Sequence, residues 1–158
     1  MLYIRKYQEA DTDELWGLFY NTVHGVNIKD YSKSQVDAWA SKDIGINNWR
    51  AILIKNQPFL AVKSGKIIGY ADLQRDGLID HFYCHYEHQG EGVGRALMGH
   101  IFAEAATQNI NKLYSHVSKT AKPFFEYFGF QLIVEQEVVR RGERLINYLM
   151  EQSVFNYI

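Results

Sequence analysis

Between Gln89 and Arg95 the chain reads Gln-Gly-Glu-Gly-Val-Gly-Arg, with glycine at Gly90, Gly92 and Gly94, and an apolar helix-like run follows at once. Glycine leaves no Cβ between its N–H and a ligand. The first amides of a helix lack intrahelical partners, and the helix dipole adds partial positive charge behind them. Loop and helix together suit an anion such as a pyrophosphate; the plain alternative is a flexible connector. A dinucleotide fingerprint counted from Gly90 would need glycine where the chain has Arg95, and a Walker-type loop would need Gly-Lys-Ser/Thr where it has Gly94-Arg95-Ala96. Neither pattern fits.

Four potential metal ligands stand just ahead of this loop: His81, Cys84, His85 and His88. On an extended strand His81 and His85 would stand about 13 Å apart at ~3.3 Å per residue. Cys84 and His85 would face opposite sides, whereas metal ligands must converge at about 2 Å. No metal is expected. An inert core thiol is the simple reading of Cys84; with His116 also present, a Cys–His acyl-enzyme route stays open.

The elements that must hold these residues can be read from hydrophobic periodicity. "LYIRKYQ" alternates as a first strand, and Asp11 is placed to cap a helix carrying Leu15, Leu18, Phe19 and Val23 on one stripe and ending at Gly25. "SKSQVDAWA" and "NNWRAILIKN" read as helices. "PFLAVK" and "KIIGYADL" form a hairpin about "KSGK", and "LIDHFYCHY" is a further strand. A helix from about Val93 to Gln108 presents Val93, Leu97, Ile101 and Ala105 on one face. "KLYSHV" is a strand. Thr120 can cap the short helix "TAKPFFEYF", with Pro123 in its first turn and Gly129 at its end. The remainder is a long hairpin turning near Gly142, with Arg141 beside the turn in solvent.

The chain has 158 residues, which suits one domain, 1–158, with one core. Its 17 basic and 18 acidic residues nearly cancel, so no large basic field draws nucleic acid or an anionic membrane, and any anion site is local. One cysteine allows no internal disulfide, so a reducing compartment, the cytoplasm, is expected. "MLYIRKYQEADTDEL" lacks the apolar run of a signal peptide, and no segment approaches the ~20 apolar residues of a membrane span.

"QGEGVGRALM" resembles the acyl-CoA pyrophosphate loop of the GNAT superfamily of N-acetyltransferases, and "AKPFFEYFGF" resembles that family's second signature. One helix and one strand separate the two motifs, as in the family, and the resemblance extends over essentially the whole chain. It implies a mixed α/β (α+β) fold with a mostly antiparallel central sheet of about seven strands, flanked by helices and splayed at the CoA-binding strand. It implies acetyl-CoA as co-substrate, no metal, and a small-molecule or peptide amine as acceptor; many relatives dimerise, so a homodimer is open.

The same resemblance distributes roles. Gln89, Gly90, Glu91, Gly92, Val93, Gly94 and Arg95 would meet the pyrophosphate, and Phe82, Tyr83 and Cys84 would offer backbone N–H groups to the pantetheine and thioester. Ser118, Phe124, Phe125 and Phe128 would lie against the coenzyme. Direct attack on the thioester sets three tasks. An amine with pKa near ~10 must lose a proton, the oxyanion needs a donor, and the thiolate takes a proton or leaves without one. Asp80 is the first candidate for the base and His81 the second, the plain reading of Asp80 being an ion pair or turn cap. The family's usual acid is a tyrosine where this chain has Phe125. Tyr83, His116, Ser118 or Tyr127 would then serve, or the thiolate leaves unassisted, or the chain is a non-catalytic acyl-CoA-binding or interaction module. Tyr31 and Trp39 would wall the acceptor pocket, and Arg140 or Asn147 would bind an acceptor carboxylate.

Overall fold

β2 (Phe59–Lys63) and β3 (Lys66–Ala71) are apolar on both faces, because helices cover both sides of the sheet they centre. In the computed structural model, which describes residues 1–156, this sheet is antiparallel and ordered β1-β2-β3-β4, with β1 at Leu2–Lys6 and β4 at Phe82–Cys84. Leu60, Val62 and Tyr70 pack with α1 (Thr12–Gly25), α2 (Lys33–Trp39) and α3 (Ile46–Asn56). Ala61, Ile68 and Ala71 pack with Leu97, Met98, Ile101 and Phe102 of α4 (Val93–Thr107). Full burial of each of those large α4 side chains contributes roughly 1.5–3 kcal/mol. That far exceeds the few tenths that separate helix propensities, so packing more than propensity holds α4 on the sheet.

The second sheet is ordered β5-β7-β6, with β5 at Lys112–Ser118, β6 at Gln131–Arg140 and β7 at Glu143–Ser153. α5 (Lys122–Tyr127) connects β5 to β6. Among the described residues seven strands thus form as expected, all strand pairs antiparallel, divided into sheets of four and three. A parallel bridge at Leu78 and Tyr114 joins them. Ile79 N–H donates to Tyr114 O at 2.9 Å and Tyr114 N–H to Gly77 O at 3.0 Å. Past this point side chains replace the ladder. The Ser115 hydroxyl donates to Ile79 O at 2.7 Å, and the Asp72 carboxylate accepts the N–H groups of Asp80 and His81 at 2.9 and 2.8 Å. With no ladder left to hold them together, β4 and β5 diverge, and β4 ends as the edge strand of its sheet.

Three expectations are corrected. The strand expected over "LIDHFYCHY" is only Phe82–Cys84, because Asp72 claims the amides before it. Asp11 does not cap α1: its carboxylate accepts the Arg5 guanidinium at 2.8 and 2.9 Å and the Gln8 N–H at 2.8 Å. Thr120 does not cap α5, its hydroxyl donating to Asp30 at 2.8 Å, and it is the Ser118 hydroxyl that accepts the Ala121 N–H at 3.1 Å. Arg141 is exposed beside the turn, as expected, and its guanidinium also donates to Ala38 O at 2.8 Å. No helix among the described residues is long and apolar enough to cross a membrane.

Candidate active site

The gap between β4 and β5 opens into a cleft of about 940 Å³. Asp80, His81, Phe82, Tyr83 and Cys84 line one side of it, and Ser118, Phe124 and Phe125 another. Trp39, Arg140 and Asn147 also face it, so residues from α2, β6 and β7 converge with the edge strand. Of the expected site residues, Tyr31, Tyr127 and Phe128 are not in its lining, and of the glycine loop Gln89 lines it while Gly90, Glu91, Gly92, Val93, Gly94 and Arg95 lie outside it.

Gln89 ties the glycine loop to the end of β4. Its side-chain amide donates to Cys84 O at 2.8 Å and His85 O at 3.3 Å. Gly90 and Gly92 have φ of 74° and 83°, and a Cβ at either would meet nothing within 4 Å. Left-handed backbone costs an L-residue about 1–2 kcal/mol, so glycine is required by conformation, and the space outside it is open. The first intrahelical bond of α4 runs from Ala96 N–H to Gly92 O, leaving the Val93 and Gly94 amides ahead of the helical ladder. Gly94 answers a different need: a Cβ there would lie 2.7 Å from Phe124 Cε1. The Glu91 carboxylate is drawn to His88 Nδ1 at 3.1 Å, with Lys63 Nζ at 3.9 Å, and the His88 hydrogen bond holds it below its ordinary pKa. Open space outside Gly90 and Gly92, helix-end amides ahead of the ladder and an occupied carboxylate together fit a diphosphate at this loop. Arg95 donates to the Tyr127 hydroxyl at 2.8 Å and packs over the Tyr127 and Phe128 rings.

Asp80 accepts Asn56 Nδ2 at 2.9 Å, and its Oδ2 lies 3.9 Å from His81 Nε2. His81 Nδ1 is 3.0 Å from the Tyr70 hydroxyl, which burial keeps protonated by raising its pKa. The imidazole is packed among Phe19, Trp49 and Tyr83. Among the described residues the Tyr83 hydroxyl has one hydrogen-bond partner, the Trp39 indole N–H at 3.2 Å. That bond is accepted, so the phenolic proton remains to be given, and burial raises its pKa. Burial also pushes the Cys84 thiol up to about 12. Phe125, which has no proton to give, is buried against Phe82 and Phe130.

Tyr31 serves the frame. Its hydroxyl donates to Ile146 O at 2.6 Å and accepts Lys119 N–H at 2.9 Å, and burial lifts its pKa to about 12. Tyr127 is 68 % exposed on the outer side of α5. His116 pairs through Nδ1 with the Gln136 amide at 2.6 Å and lines the cleft. Arg140 donates to its neighbour's carbonyl, Val139 O, at 3.1 Å. Among the described residues no group meets the buried Asn147 Oδ1. No group of three or more His, Cys, Asp or Glu side chains is arranged to hold a metal ion among the described residues. Sequence reasoning missed Asn56, Ser115 and Asp72. Only Asp72, a carboxylate closing the apolar run "KIIGYA", carried a local signal.

Residues 27–152 match the family described as "Acetyltransferase (GNAT) domain". The chain is 31 % identical over 147 residues to the uncharacterized N-acetyltransferase YafP of Escherichia coli (strain K12), spanning 93 % of each. It superposes with a TM-score of 0.92 on "GCN5-Related N-acetyltransferase: Aminotransferase, Class-II" of Rhodopseudomonas palustris at 27 % identity, covering 96 % of this chain and 94 % of that one. The PaiA N-acetyltransferase of Thermoplasma acidophilum, solved in complex with coenzyme A, gives a TM-score of 0.76 at 14 % identity over 97 % and 99 % of the two chains, a likeness of fold. The loop, the parted strands and these matches agree, and the chain belongs to the GNAT family of N-acetyltransferases.

Proposed function

We propose that the protein transfers the acetyl group of acetyl-CoA to a primary amine by direct attack on the thioester, with the coenzyme's diphosphate on the main-chain amides between Gln89 and Arg95 and its thioester end along β4. The observation that carries this reading is the parting of β4 from β5 into the 940 Å³ cleft beside the start of α4. Acetyl-CoA supplies an activated carbonyl and a thiol leaving group. The chain supplies position and protons.

Asp80 takes the proton of the incoming ammonium, with His81 as the adjacent second acceptor. The amine nitrogen forms the new C–N bond as the C–S bond breaks, Tyr83 gives its phenolic proton to the sulfur, and the second nitrogen proton, made acidic by the new bond, restores the Tyr83 hydroxyl. Tyr83 is better placed than Tyr127 for this because it lines the cleft and its oxygen already accepts a bond from Trp39. Main-chain N–H groups on the open edge of β4 serve the carbonyl oxygen. Arg140 meets an anionic group on the acceptor, and Asn147 Oδ1 meets an N–H donor, which its lack of a partner favours.

The test is release of free thiol from acetyl-CoA in the presence of a panel of primary amines. Amine-dependent release supports the reading. CoA binding with no release across a broad panel would replace it with an acyl-CoA-binding module, the outcome that Phe125 at the usual tyrosine position would then explain.

A further inference from the structure

Asp72 follows β3 directly and is fully buried. Its partners are N–H donors. Oδ1 accepts the Asp80 N–H at 2.9 Å and Gln74 Nε2 at 3.0 Å, and Oδ2 accepts the His81 N–H at 2.8 Å. Asp72's own N–H donates to His81 O at 3.2 Å. Both ends of this one residue thus hold the segment that leads into β4. Gln74 Nε2 also reaches Asn56 O at 3.5 Å, and Asn56 Nδ2 holds Asp80 Oδ2 at 2.9 Å, which closes a ring of contacts around Asp80.

The consequence lies in where the next two side chains go. In a regular strand neighbouring residues face opposite sides. Asp80 and His81 are neighbours, yet both line the cleft, with Oδ2 and Nε2 3.9 Å apart. The stretch from 79 to 81 has no strand conformation, and there a carboxylate has replaced a peptide partner. Two acceptor oxygens are needed at this point. Asparagine would offer one, and its NH2 group would face a backbone N–H. Burial leaves the Asp72 carboxyl above its ordinary range, with the N–H donors around it acting the other way.

We infer that Asp72 is the positioning residue of the acetyl transfer, the group that breaks the strand so that Asp80 and His81 share one wall of the cleft. The inference rests on the proposed roles of Asp80 and His81 as proton acceptors, but the placement itself is independent of turnover. It is tested in two ways. In the wild-type protein, long-range NMR couplings across hydrogen bonds should connect the Asp72 Cγ with the amide nitrogens of Asp80 and His81; observable carboxyl bonds to other amides instead would overturn the placement. In Asp72→Asn, kcat should fall roughly 10–100-fold, as expected for about 1 Å of displacement, while KM for acetyl-CoA and the affinity for CoA stay near wild type. Unchanged kcat, or kcat and CoA affinity falling together, would overturn the positioning role. If Asp72→Asn does not fold, the wild-type couplings decide. A wild-type protein that releases no thiol with any amine would overturn the proposed function, and the couplings would still settle what Asp72 holds.

Discussion

A Cβ added to Gly94 would come within 2.7 Å of Phe124 Cε1 and 2.9 Å of its Cζ. The glycine at the start of α4 is therefore set by the aromatic residue of α5 packed on it, whereas Gly92, two residues earlier, has open space outside it and a φ of 83°. The two positions should fail differently. Gly94→Ala forces a ring to move in a packed site and should cost about 1–3 kcal/mol of stability, read by denaturant unfolding. Gly92→Asp should leave the core packing intact and weaken CoA binding at least about tenfold by opposing an anion, more strongly at low salt. Equal CoA affinity in wild type and Gly92→Asp would contradict the loop assignment.

Asp80 and Tyr83 should separate chemistry from binding. Asp80→Asn keeps the shape of the Asn56 contact but cannot take a proton, and Tyr83→Phe keeps the ring but loses the donor. Each is expected to lower kcat by roughly 10²-fold or more with CoA affinity changed by less than about threefold. Steady-state kinetics and calorimetric CoA titration measure the two quantities. Full turnover in Asp80→Asn would return that carboxylate to a structural role.

Cys84 should be inert. With its pKa at about 12, roughly one thiol in 10⁵ is ionised at pH 7. Alkylation of the native protein by iodoacetamide should be far slower than after unfolding, and Cys84→Ala should retain amine-dependent thiol release. Loss of turnover in that variant, with its fold intact, would favour an acyl-cysteine route.

Acid stability should report on Asp11. The Arg5 guanidinium holds its carboxyl below the ordinary 3.8. A lowered folded-state pKa contributes stability above the unfolded-state value, and that contribution is lost as pH falls through the folded-state value. Asp11→Asn should therefore cost about 1 kcal/mol near pH 7 and show a flatter loss of stability below pH ~4. Parallel stability–pH curves for the two proteins would refute this.

What the sequence disclosed was local. The glycines ahead of α4, the hairpin about Ser64-Gly65 and the apolar stripe of α4 are written within a few neighbouring residues, and each formed where its pattern lies. What it hid depends on partners far along the chain. Gly94 reads as a phosphate-facing glycine until Phe124 is brought onto it. Asp11 reads as a cap until Arg5 takes its carboxylate. Tyr31 looks like a pocket wall, but its hydroxyl is used by Ile146 and Lys119, residues distant in sequence. Asp72 is the clearest case. Its partners depend on the register of β3 and β4, and that register ends at Ala71 with Phe82 because the side chain itself interrupts it.

The account is tested most directly by a crystal structure of the protein with CoA. Diphosphate oxygens should lie within hydrogen-bonding distance of main-chain N–H groups between Gln89 and Arg95, with the pantetheine running along Phe82–Cys84 toward Asp80. A nucleotide bound elsewhere, with those amides turned away from it, would contradict the central claim.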